Sequence, residues 1–222
     1  MSVLKPEASA PEATLIGDIV DSRQVSDRRE LHEQLSSALD SVGRAVPAAT
    51  ALRITVGDEF QGSYPNLGYA LDAAFRIRLA LLPEARVRFG FGWGETLVLD
   101  ALTGTEDGSA WWAAREAIEA AKSAQLHAAT HAVRSVYRPA GHTLSAPGPS
   151  AGAVNAALLC QDQLLSSLDD RSLRILRRLS EGESRTAIAS AEGVSPSAIS
   201  QRVVSGGLEV IVNAARELAS VR

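Results

Sequence analysis

The chain has 222 residues, 45% of them hydrophobic and 22% charged, with a formal net charge of −4. That is ordinary for a soluble globular protein and leaves room for one ample domain or two small ones. No apolar run nears the eighteen residues of a membrane helix. The single cysteine, Cys160, excludes an intramolecular disulfide or a zinc ribbon, and its helical, apolar setting reads as a buried, inert thiol; these features point to the cytoplasm.

In chain order, residues 1–12 lack the apolar stretch of a signal peptide and read as a loose tail. Thr14–Val20 is an apolar strand that ends at Asp18 to Asp21. Ser26 or Asp27 caps a helix whose inner face is Leu31, Leu35, Ala38, Leu39 and Val42, and which stops at Pro47. Ala51–Val56 and Phe60–Tyr64 flank Gly57-Asp58-Glu59 as a hairpin, with Glu59 a solvated hairpin residue. Asn66 opens a helix with Leu67, Leu71, Ala74, Phe75 and Leu82 inward. Arg86–Trp93 is a strand with Val87, Phe89 and Phe91 on one face and the arginines and glycines on the other, where the glycines permit close backbone approach. A helix-rich stretch follows over Ser109–Val133, then a last strand near Val133–Arg138.

The segment 142–152, rich in Pro, Gly and Ser, reads as a linker. Helical signals alone follow it. Leu168–Leu179 is amphipathic. Ser184 starts another helix, Ala189 and Gly193 have the small-residue spacing of a tight helix-turn-helix bend, and Ser195-Pro196 is a strong helix start. Ile199 and Val203 face inward, leaving Ser197, Ala198, Ser200, Gln201 and Arg202 outward. Residues 171–222 carry a balance of +3 against −7 for the rest, compatible with nucleic-acid contact by this end alone.

The chemistry-bearing motifs are two carboxylates at strand ends, Asp18 and Asp58, each beside a glycine. Such a pair can converge on one divalent cation. Gly17-Asp18-Ile19-Val20-Asp21-Ser22-Arg23 resembles the first metal motif of class III nucleotidyl cyclases. Gly57-Asp58-Glu59-Phe60 resembles their second, and the signature of GGDEF diguanylate cyclases. Arg88 to Glu95, with its three glycines, resembles their glycine-and-glutamate strand, and Gly108 through Arg115 the helix start bearing their transition-state arginine. With Gln61-Gly62, Asp107-Gly108 and Ala114-Arg115-Glu116-Ala117, the combination resembles the bacterial SatD family.

The resemblance implies an α+β fold: a nucleotidyl-cyclase-like, ferredoxin-like palm domain over 13–141, then a small all-α helix-turn-helix domain over 153–222. It implies Mg²⁺ with a nucleotide, Asp18 and Asp58 as metal ligands, and Asp18, Ile19, Ser22, Arg23, Asp58 and Arg115 as nucleotide contacts. Three departures from the cyclase pattern argue against turnover: Asp21 replaces a turn glycine, Ile54 a base-reading lysine, and Trp111 a ribose-positioning asparagine.

The C-terminal motif resembles the helix-turn-helix of LuxR-type regulators and sigma-factor region four. It implies duplex DNA as a partner, with Arg185, Ser195, Ser197, Ser200, Gln201 and Arg202 as contacts. Gln and Arg can read adenine and guanine bidentately, and the serines can reach phosphate. A homodimer is expected by analogy. The leading expectation is a DNA-binding regulator with a nucleotide-sensing domain and no catalytic residues; the alternative is a metal-dependent cyclase or related phosphoryl-transfer enzyme.

Overall fold

Strand β1 (Glu12–Ile19) is the centre of the molecule because both of its faces are covered. Its side chains alternate: Ala13, Leu15 and Ile19 enter the main core, while Ile16 joins a smaller cluster on the opposite face. The computed structural model describes residues 10–22, 25, 27–100, 104–141 and 147–222. Helix α1 (Arg28–Ala45) begins at Asp27, whose carboxylate accepts the Arg29 and Glu30 amides at 3.0 and 2.9 Å; Ser26, the other expected cap, lies outside the described residues. The five expected residues of this helix are buried.

β2 (Thr50–Val56) and β3 (Glu59–Tyr64) form the expected hairpin. With β4 (Val87–Gly94) and β7 (Ser135–Pro139) they complete a five-stranded sheet ordered β2-β3-β1-β4-β7. Its contacts are antiparallel except β4–β7, which is parallel. A second, two-stranded sheet, β5 (Leu97–Asp100) with β6 (Thr105–Asp107), has no counterpart in the sequence reading.

Helix α3 (Ser109–Ala124) lies on the Ile16 face. The glycines of β4 let it approach: a Cβ on Gly92 would collide with the Ala110 carbonyl, and one on Gly90 with that of Ala114. Thr14 closes the same contact by donating its hydroxyl to the Ala110 carbonyl at 2.8 Å.

Helix α2 (Leu67–Leu81) packs on the other face and is apolar nearly all round. A helix with that pattern is buried on two sides. Ala70, Ala73 and Ile77 join the sheet core, while Phe75 and Leu79 join a second core built from α5 (Asp170–Ser180), α6 (Arg185–Glu192), α7 (Pro196–Ser205) and α8 (Leu208–Ala219). Helix α4 (Ala151–Ser166) begins within the last two residues of the expected linker 142–152, of which 142–146 lie outside the described residues. It places Val154 and Leu158 in the sheet core, and its Asp162 forms a buried ion pair with Arg78 of α2 at 2.5 Å. Cys160 lies exposed on the outer face of α4, not buried as expected, because the inner face is taken by Val154, Leu158 and Leu165. No helix of the described residues is long and apolar enough to cross a membrane.

Candidate functional site

The even-numbered residues of β1 point toward α3, so the strand delivers Asp18 to that side at its last turn of pleat. Pairing places Arg88 of β4 directly opposite Asp18. Arg88 Nε lies 3.0 Å from Asp18 Oδ1, and Lys122, from the last turn of α3, lies 3.3 Å from Oδ2. Asp58, in the β2–β3 turn, accepts the Ile19 amide at 3.0 Å and so ties that turn to the end of β1. Asp18, Ile19, Ser22 and Asp58 therefore share one open cleft of about 510 Å³, with Asp21, Glu59, Arg88 and Lys122. Arg23 lies outside the described residues.

Arg115 stands at the rim. Its guanidinium forms a two-pronged pair with Glu59 at 2.6 and 2.7 Å. The hydrogen bond from Arg115 lowers the pKa of Glu59, and the same bond raises that of Arg115. Glu59 is thus an anchored ion-pair partner and not the solvated hairpin residue expected from its position. Asp21 adopts φ 55°, a left-handed conformation, where the cyclase pattern has glycine.

The electrostatics of the cleft are mixed. Burial is the main influence on Asp18 and raises its pKa, with the nearby Asp58 charge adding to the rise; Arg88 and Lys122 pull it down. For Lys122, burial acts downward, but Glu119 and Asp18 outweigh it and its pKa is raised. Asp18 Oδ1 and Arg88 Nε are both buried, and neither has an aligned hydrogen-bond partner.

The donor set can be weighed against Mg²⁺. Among the described residues there is no group of three or more His, Cys, Asp or Glu side chains able to hold a metal. Mg²⁺, however, is commonly held by one or two carboxylates together with waters and substrate phosphates. Asp18 and Asp58 fit an ion that arrives with a phosphate ligand. They do not form a cage for a free one.

The C-terminal residues are placed as follows. Ser195 caps α7 by accepting the Ala198 amide at 3.2 Å, and its hydroxyl meets that of Ser197 at 2.9 Å. Gly193, at φ 64°, makes the turn between α6 and α7. Gln201 is exposed. Arg185 pairs with Glu209 at 2.5 Å and reaches the Ser200 hydroxyl at 3.4 Å. Arg202 turns back to Asp169 at 2.7 Å and to Ser172 at 3.0 Å, because the cap residue of α5 lies within reach. Of the expected outward face, Ser197 and Gln201 are exposed, whereas Arg202 is engaged.

The SatD family model matches residues 13–220. The chain belongs to the SatD family. No curated protein matches this family member. Among solved structures it is similar to a bacterial light-regulated adenylyl cyclase, with 15% identity and a TM-score of 0.40 over 60% of this chain and 44% of that one. A second structure of such a cyclase gives 15% and 0.35, over 52% and 71%. The Regulator of Polyketide Synthase Expression from Bifidobacterium adolescentis gives 14% and 0.28, over 95% and 86%. The chain thus spans less than half the length of the first of these, and at such scores none of them assigns an activity.

The sequence reading assigned neither Arg88 nor Lys122 to this cleft. Both had a signal. Arg88 lies on the glycine face of β4, and Lys122 follows Arg115 by seven residues, two turns along one helix face.

Proposed function

We propose that this protein is a nucleotide-responsive DNA-binding regulator. The observation that carries the reading is the convergence of Asp18, Asp58, Arg88 and Lys122 in one cleft, with the Arg115–Glu59 pair at its rim. Three cations and paired carboxylates suit a polyphosphate, since phosphate oxygens accept from arginine and lysine. Asp18 and Asp58 would hold Mg²⁺ carried by the nucleotide, and the ion would neutralise part of the phosphate charge. Asp18 would then exchange its contacts with Arg88 and Lys122 for the ion, freeing both cations for the phosphates. Ile19 and Ser22 line the same cleft and would contact the ligand. Helices α6 and α7 would form the helix-turn-helix, with Ser195, Ser197 and Ser200 on phosphates and Gln201 on a base edge. Arg185 and Arg202 would join after leaving Glu209 and Asp169. The reader would act as a homodimer on a two-fold site.

Two titrations test this. Labelled ATP and GTP, with and without Mg²⁺, should bind the wild type, and Asp18→Asn should weaken the Mg²⁺-dependent part by about tenfold, the worth of a charge-assisted contact. In a gel shift against selected duplexes, Gln201→Ala should cost about 1–3 kcal/mol at a specific site. Unchanged DNA affinity in the Gln201→Ala, Arg202→Ala double variant would sink the reader assignment. Sustained formation of a cyclic nucleotide, abolished by Asp18→Asn, would replace the regulator with an enzyme.

A further inference from the structure

A second cavity lies where the sheet body meets the helical bundle; its Arg86 and Val87 lie beside the end of β1, where the Val20 amide donates to the Arg86 carbonyl at 2.8 Å. It is open on one side and offers about 100 Å³. Its walls come from the C-terminal end of α2, the start of β4, the residues before β7, and from α4 and α5. One side is apolar, with Leu82, Leu165, Leu168 and Leu173; the other carries Arg78, Arg86 and Arg134.

The cavity walls carry three arginines against two carboxylates, Asp162 and Asp170, with Arg86 exposed and Arg134 half-buried. The carboxylate of Asp162 is already saturated: Oδ1 takes Arg78, and Oδ2 takes the Arg134 and Ser135 amides at 2.6 and 2.8 Å. Asp170, also in the wall, is exposed at the first turn of α5. Neither Arg86 nor Arg134 forms an ion pair among the described residues, although Arg134 donates to the His131 and Val133 carbonyls. The side chain of Arg78 is 6% exposed, and its Nε has no hydrogen-bond partner. The pKa of Arg134 is lowered, first by burial and next by the charge of Arg86, so the two guanidiniums sense each other. Two arginines beside an apolar wall in a small cavity match an anion with a hydrocarbon end. A carboxylate fits the guanidinium fork in the bidentate manner.

We propose that this cavity binds a small aliphatic carboxylate, its carboxylate held by Arg86 and Arg134 and its hydrocarbon lying on Leu82, Leu165, Leu168 and Leu173. Ligand sites often lie at such junctions between packed units. Occupancy would bridge α2 and β4 to α4 and α5, stiffening the seat of the helical bundle. The inference is independent of the nucleotide reading.

The test is isothermal titration of the full chain with 3-methylbutanoate, butanoate, inorganic phosphate and the neutral 3-methylbutanamide. The carboxylates should bind with a Kd of about 1 mM or tighter, with phosphate and the amide at least about tenfold weaker. Arg86→Gln removes an exposed side chain without an ion pair, so it keeps the fold; it should weaken the carboxylate about tenfold. Arg44→Gln, on the exposed face of α1, should leave the affinity unchanged. Absence of carboxylate binding at about 10 mM, equal affinity for the amide or for phosphate, or an unaltered Kd in Arg86→Gln would each overturn the proposal.

Discussion

The folded chain holds the proton of Asp18 more tightly than a free aspartate would. Burial raises its pKa in spite of Arg88 and Lys122 beside it. An acid whose folded pKa exceeds its unfolded value binds its proton more tightly when folded. Stability therefore falls as pH rises through the interval from the unfolded pKa, about 3.9, to the raised one. Asp18→Asn should remove that decline, so urea midpoints of wild type and variant should diverge upward from about pH 4, with the variant the more stable at neutral pH. Parallel midpoint curves would show that Asp18 has no such shift. A site residue that weakens the fold is what a ligand-binding role leads one to expect, because the ligand restores the lost contacts. Asp21 tells a similar story through the backbone. Its φ of 55° costs an L-residue about 1 kcal/mol, less for Asp than for most. Asp21→Gly should leave stability within about 1 kcal/mol, since relief of strain is offset by the greater freedom of an unfolded glycine. It should also strengthen nucleotide binding by removing a negative charge from the cleft; weaker binding would mean that Asp21 itself holds the ligand.

Among the elements, the contact between β4 and α3 is the least tolerant. Gly92→Ala would drive a Cβ into the Ala110 carbonyl, which is backbone and cannot rotate away. The expected cost is about 3 kcal/mol, read as a lowered urea midpoint, and the shift of α3 should displace Lys122 from Asp18 and weaken the proposed nucleotide binding as well. Helix α5 offers a gentler probe. Asp169 caps it through the Ser172 amide at 2.8 Å and pairs with Arg202; together these hold its pKa at about 2. Its stabilising contribution is present above the ordinary carboxylate range and is lost as pH falls toward about 2. Asp169→Asn keeps a capping oxygen but loses the charge, so it should remove the pH-dependent contribution while costing less than Asp169→Ala, which also loses the cap at about 1 kcal/mol. If Arg202 reads DNA, Asp169→Asn should raise affinity by releasing it. Equal or weaker binding would leave Arg202 as a structural tie between α5 and α7.

The molecule as a whole is joined through α2. One side of that helix completes the sheet core, and the other carries Phe75 and Leu79 into the helical bundle. The Gly68 amide donates to the Val221 carbonyl at 2.9 Å, tying the start of α2 to the end of the chain. The Arg78–Asp162 pair adds a buried link between α2 and α4. Breaking it by Asp162→Ala leaves a guanidinium uncompensated and strips the Arg134 and Ser135 amides of their acceptor, a loss of about 3–5 kcal/mol. Near-ultraviolet and far-ultraviolet signals should then fall together at a lower temperature. Two separated transitions would show that the sheet body and the helical bundle unfold as distinct units.

The inner faces of α1, β4 and α7 were legible from periodicity, because burial of one side of an element imposes a period that the residues must follow. The position of Asp18 and Asp58 at neighbouring strand ends was legible as a motif. That Asp18 meets Arg88 and Lys122, and Arg115 meets Glu59, was decided by strand register and by the glycine-permitted seat of α3, which bring together residues 56 to 104 positions apart. Cys160 and Arg202 show the same limit. Each lies on an element whose existence was legible locally, but which face turns outward depends on the partner packed against it. The second face of α2 could be recognised only when the bundle that covers it was in place, since an apolar residue records that it is buried and not what buries it.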